Sequence, residues 1–90
     1  MDQDSLTKVF VGLVKKYQDR LGSNEAEAKE RADAQIEAFM VGEQEIGFTS
    51  FVQSLRSTNT EVDEATQTSL KELATALNLL DDPSGKGKYW

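Results

Sequence analysis

Over the first twenty-odd residues, apolar positions recur at steps of three and four. Leu6, Val9, Phe10, Leu13, Val14, Tyr17 and Leu21 fall on one side of a 3.6-residue period, so the spacing predicts an amphipathic helix. Asp4 or Ser5 is placed to cap its start, and Gly22 stands where a left-handed closing residue is wanted. Val11 falls off the stripe, as single exposed valines commonly do. Ser23 and Asn24 open a second helix, with Asn24 and Glu27 at capping-box spacing. Glu25–Lys29 and Glu27–Arg31 follow in the favoured acid-before-base order at four residues. The apolar face of this helix is Ala28, Ala32, Ile36, Phe39 and Met40. Its first half offers only alanine, which permits close helix approach but buries little area. Gly42 is the expected stop.

The next stretch reads as a loop over Glu43–Gly47, then a short helix on Phe48, Phe51, Val52 and Leu55, capped by Thr49 or Ser50. A strand over Ile46–Val52 competes, since phenylalanine, threonine and valine suit strands, but a lone strand has nothing in this chain to pair with. Ser57–Thr60 is a polar break, and Thr60 with Asp63 resembles a capping box. The last stripe is Val62, Thr66, Leu70, Leu73, Leu77 and Leu80. From Thr66 onward its steps alternate between four and three, the spacing of a coiled-coil seam. Asp81, Asp82 and Pro83 close it. The expectation is an all-α chain: a compact bundle of three longer helices and one short helix. Residues 1–82 form one helical domain, followed by a flexible tail at 83–90. The stripes also name the core, with Ile36, Met40 and Leu80 counted in it.

Composition narrows the picture. The chain has 90 residues, of which 38% are hydrophobic, enough for one thin core. There is no histidine and no cysteine. The chain therefore lacks the side chain that titrates near neutral pH, the thiolate nucleophile, the disulfide framework and the usual nitrogen and sulfur metal ligands. The longest apolar run, Val9–Val14, is interrupted by Gly12, falls far short of a membrane span and is followed by Lys15 and Lys16 rather than a cleavage-site pattern. The expected setting is cytoplasmic, with no membrane attachment.

The remaining groups form no reactive constellation. Glu43 and Glu45 flank a loop and Asp81 and Asp82 end a helix, but a glycosidase-like pair needs a cleft that raises one pKa, and solvated surface acids are the simpler reading. Asp82 to the C-terminus does not match a calcium loop, because Lys86 stands at the fifth position and the sequence stops early. Ser84–Lys88 lacks the order of a phosphate loop. The many serines and threonines have no histidine base beside them and no Ser-x-x-Lys pattern. The expectation is a protein that is not an enzyme and uses no cofactor.

Charge is more informative. The net charge is −6, which excludes binding to nucleic acid by general phosphate neutralisation. Residues 1–22 carry four basic and three acidic groups, residues 23–47 carry two and seven, and residues 61–82 carry one and six. Two helical segments are thus strongly acidic while the first is nearly neutral. Acidic faces turned to water explain this at minimum. The functional expectation is a small acidic non-catalytic protein–protein interaction module, an adaptor, inhibitor or assembly factor, docking a partner protein of basic character through Glu25, Glu30, Asp33, Glu37, Glu61 and Glu64. Tyr89 and Trp90 add a possible aromatic anchor. The alternative is a homo-oligomeric structural subunit pairing through Leu70, Leu73, Leu77 and Leu80, and behind it an inhibitor that mimics nucleic acid.

Overall fold

Residues 2–78 are described by the computed structural model, in which they form four α-helices: α1 (Gln3–Lys16), α2 (Glu25–Met40), α3 (Gln44–Ser57) and α4 (Glu64–Ala76). A short 3-10 turn, Gln18–Arg20, follows α1. The expected all-α bundle is what the chain builds, and α4, at 13 residues, is the shortest of these four. Leu80, the Asp81–Pro83 stop and the terminal Tyr89 and Trp90 lie outside the described residues.

Three of the four helices begin at an oxygen-bearing side chain that caps them; α3 starts after Glu43 with no side-chain cap, and Thr49 and Ser50, expected to cap it, lie within it. Asp2, rather than Asp4 or Ser5, caps α1: its carboxylate accepts from the Ser5 N–H at 2.7 Å. That leaves Asp4 in the first turn, where a negative charge complements the helix dipole. Asn24 accepts from the Glu27 N–H at 2.8 Å, as predicted. Glu27 reaches back one residue further than a standard capping box and accepts from the Ser23 N–H at 3.0 Å. For α4 the cap is Asp63 itself, accepting from the Thr66 N–H at 2.7 Å. Thr60 is instead buried against Thr58, their hydroxyls 2.7 Å apart.

The terminations differ from the sequence reading in an instructive way. Gly22 is not left-handed. It is required by proximity, because a Cβ there would lie 2.8 Å from the Ala28 nitrogen. Gly42 does close α2 with φ +96°, and the Glu43 N–H bonds back to the Ala38 carbonyl at 2.9 Å. Asn59, with φ 56°, closes α3 in the same manner, the Thr60 N–H bonding to the Leu55 carbonyl.

The largest correction concerns α3. It starts at Gln44, so most of the stretch expected to be loop is its first turn, and it runs for 14 residues, as long as α1. Residues 46–52 are helical, which settles the competition with a strand. Gly47, which reads as a loop residue, is the point where α3 crosses α2. A Cβ there would meet the Gln35 carbonyl oxygen at 2.8 Å and the Phe39 nitrogen at 3.1 Å.

The core is centred on aromatic rings. Phe10 of α1 stacks on Phe39 of α2, with centroids 4.3 Å apart, and meets Phe51 of α3 edge-on at 5.7 Å. Leu6, Leu13, Val14, Tyr17, Leu21, Phe48, Val52, Leu55, Leu70 and Leu73 complete it, together with Ala28, Ala32 and Ala74. Met40, expected in the core, is 65% exposed: it is the last residue of α2, and Phe39 beside it takes the inward position. Ile36 and Leu77 are only partly buried and pack at the edge. Leu70 and Leu73 are wholly buried in the chain's own core, so those two positions of the proposed oligomer seam present no surface to a second copy.

A polar knot fastens the end of α1 to the start of α4. The Lys16 ammonium donates to the Asp63 carboxylate at 2.6 Å and to the Thr66 hydroxyl at 3.1 Å, and the buried Tyr17 hydroxyl donates to Thr66 at 3.0 Å. The Asp63 carboxyl is held at a pKa of about 2, below the usual carboxylate range, by its bond from Lys16 and then by those from Thr66. Thr66, a polar interruption in the last apolar stripe, is therefore a hydrogen-bonded core residue.

Candidate functional site

Helix α2 carries opposite chemistries on opposite sides. Ala28, Ala32, Gln35 and Phe39 are buried. Glu30, Asp33 and Glu37, spaced by three and four residues, form an exposed acidic row on the other side. Among the described residues none of these three takes part in a salt bridge. The one ion pair on α2 joins Glu27 to Arg31 at 3.2 Å, and Arg31 also donates to the Leu21 carbonyl at 3.0 Å. The Glu27 carboxyl lies below its ordinary pKa, first through the Ser23 N–H and then through Arg31. Glu25–Lys29, the other predicted pair, does not close into a salt bridge.

The remaining predicted partner residues fall elsewhere. Glu25 is exposed in the first turn of α2, away from the row. Glu61 and Glu64 are exposed at the start of α4, beside the knot that joins α4 to α1. The structure thus brings together Glu30, Asp33 and Glu37, and leaves Glu25, Glu61 and Glu64 outside that row.

Next to the acidic row lies a feature the sequence reading missed. Between α2 and α3 runs an open groove with a volume of about 550 Å³. Arg31, Ala34 and Ala38 line it from α2, and Ile46, Ser50 and Ser54 from α3, with Gln35 between the walls. A second hollow of about 580 Å³ at the start of α3 shares Ile46 and Ser50 and extends the groove past Glu43 and Glu45. Ile46 is 58% exposed, and Met40 and Val41 at the end of α2 are also open to solvent.

Gln35 is the unusual member. It is only 5% exposed, and its amide nitrogen donates to the Ser54 hydroxyl at 3.0 Å. Its Oε1 is buried with no hydrogen-bond partner among the described residues. Exchanging the amide oxygen and nitrogen would let Ser54 donate instead and would strand the amide donors, so either orientation leaves one end unmet. An unmet buried polar group costs about 1–3 kcal/mol. The sequence did contain a signal for this site: a glutamine falls between Ala32 and Phe39, on the face that must be buried.

Among the described residues no helix is long and apolar enough to cross a membrane, and no three acidic side chains gather closely enough to hold a metal ion. The class defined by these observations is a small all-α bundle with an acidic, solvent-facing helix beside an open groove. No protein-family model, curated protein or solved structure matches the chain.

Proposed function

We propose that this protein is a non-catalytic protein–protein interaction module, an adaptor, inhibitor or assembly factor whose partner presents a basic segment. The observation that carries this reading is the row of Glu30, Asp33 and Glu37, exposed and free of salt bridges, on a helix whose opposite side is locked into the core. Charges arranged this way attract a basic partner and raise its association rate. The exposed Met40, Val41 and Ile46 supply apolar area near the end of the same helix and the start of the next.

The test compares affinity capture by the full-length protein with capture by the triple variant Glu30→Gln, Asp33→Asn, Glu37→Gln. Proteins retained by the parent at physiological salt are expected to be basic and to be lost from the variant. An identical set on both baits would overturn the reading.

A further inference from the structure

We propose that the groove between α2 and α3 receives one basic amphipathic α-helix of a partner protein. This deepens the interaction reading above and rests on it. The walls are two consecutive helices, and among the described residues there is no strand whose edge could recruit an extended peptide. Of the common peptide-recognition modes, a helix laid in a groove is the one this architecture supports. Small residues on both walls, Ala34 and Ala38 against Ser50 and Ser54, allow a third backbone to come close, and Ile46 gives it an apolar contact.

Two independent features point to the occupant's chemistry. Gln35, 5% exposed between the walls, holds a carbonyl oxygen with no partner among the described residues. The amide end left unmet in either orientation calls for a group that can both donate and accept, such as a serine or asparagine on the incoming helix. Glu30 stands one turn before Ala34 and Glu37 three residues after it, which puts both carboxylates on the solvent side of the α2 wall, while Arg31, which lines the wall itself, is already held by Glu27 and the Leu21 carbonyl. Glu43 and Glu45 stand at the far end of the groove. A helix with lysine or arginine along its flanks satisfies those carboxylates. A second copy of the chain does so poorly, because each copy carries a net charge of −6. The wall formed by α3 is 14 residues long, which sets the docked length at about 21 Å, or four turns.

The experiment is a 15N-1H correlation titration of the full-length protein with a synthetic amphipathic helix built from lysine, alanine, leucine and one central serine. A peptide of the same composition in scrambled order serves as control. The expected result is that amide shifts concentrate on residues 30–38 and 43–57, and that the scrambled peptide binds at least about tenfold more weakly. Ala34→Trp fills the groove from an exposed position and should weaken binding by about tenfold or more. Ala34→Lys, a smaller change that keeps a good helix former, should weaken it as well and guards against misfolding of the first variant. Gln35→Met retains the side chain's bulk but not the carbonyl, and should weaken binding while raising the melting temperature of the free protein.

If the peptide fails to bind at any salt concentration, the basic-partner reading and this inference fall together. If it binds with shifts elsewhere, or with unchanged affinity for both Ala34 variants, the inference falls and the broader reading stands. Concentration-dependent shifts of the groove amides without peptide would give the groove to a second copy and would equally overturn the proposal.

Discussion

Phe10 is the residue on which the bundle's stability should depend most visibly. It is fully buried, stacked on Phe39 and edge-on to Phe51, so one ring joins α1 to both α2 and α3. Phe10→Ala removes the buried area and leaves a cavity, a loss of about 3–5 kcal/mol. Phe10→Leu keeps most of the apolar volume but gives up two ring pairs, each worth about 0.5–1.5 kcal/mol beyond burial, so about 1–3 kcal/mol should go. A chain of 90 residues has a total stability of roughly 5–14 kcal/mol. The alanine variant should therefore lose a large share of its stability and the leucine variant a modest one. Urea denaturation followed by far-ultraviolet circular dichroism measures both, and a Phe10–Phe39 double-mutant cycle should return a coupling of at least about 0.5 kcal/mol. An alanine variant less than about 1.5 kcal/mol below the parent would refute the central place given to this ring.

Three further outcomes follow from the same geometry. Gly47→Ala should destabilise the bundle by about 1–3 kcal/mol, because its Cβ meets α2 backbone at 2.8 Å, whereas Gly12→Ala, with nothing within 4 Å of the new Cβ, should stabilise α1 by about 0.5–1 kcal/mol; thermal melts that rank the two alike would contradict the crossing point. The Asp63 carboxyl has a folded pKa of about 2 against an ordinary value of 3.8, so its contribution is present above pH 3.8 and is lost as pH falls toward 2. Asp63→Asn keeps a good cap but should make stability less steep between those pH values, and an unchanged acid limb would break the link to Lys16. Neutralising Glu30, Asp33 and Glu37 together should raise the melting temperature, since Glu30–Asp33 and Asp33–Glu37 are like-charge neighbours each costing about 0.2–0.5 kcal/mol, and a lower melting temperature would mean that the row serves the fold.

How far the fold was legible depended on whether local pattern or tertiary packing decided each residue. The stripes of α1 and α4 could be read because large apolar side chains set their period, and Asn24 and Gly42 could be read because capping is local. The start of α3 could not, because its first turn contains Gly47, whose value lies in letting α2 pass close by. In isolation a glycine two residues after the polar run Glu43–Glu45 resembles a loop. Gly22 misled for the same reason, being required by the neighbouring Ala28 nitrogen rather than by its own φ. The acidic residues of the candidate surface were visible in composition, but their sorting into one row on α2 and a separate set by α4 needed the helices in place. The groove depends on small residues at Ala34, Ala38 and Ser50 that look unremarkable until two helices set them face to face.

The row on α2 is hard to explain as solubility alone. Of the ten basic residues in the chain, Lys29 stands one turn before Asp33 but closes no salt bridge with it among the described residues, so the repulsion along the row is left in place. Two of the bases serve the fold instead: Lys16 ties α1 to α4, and Arg31 holds the Leu21 carbonyl and Glu27 at the entry to α2. Glu37 also stands near the C-terminal end of α2, where the helix dipole disfavours a negative charge. The helix that bears this repulsion buries only alanine in its first half, Ala28 and Ala32, and it carries the unmet Gln35 amide as well. Three local costs thus fall on one element, and a single basic helix in the neighbouring groove would relieve two of them. That concentration on α2 is the physical ground for reading it as the binding element, since sites kept below their best stability are commonly those shaped for function.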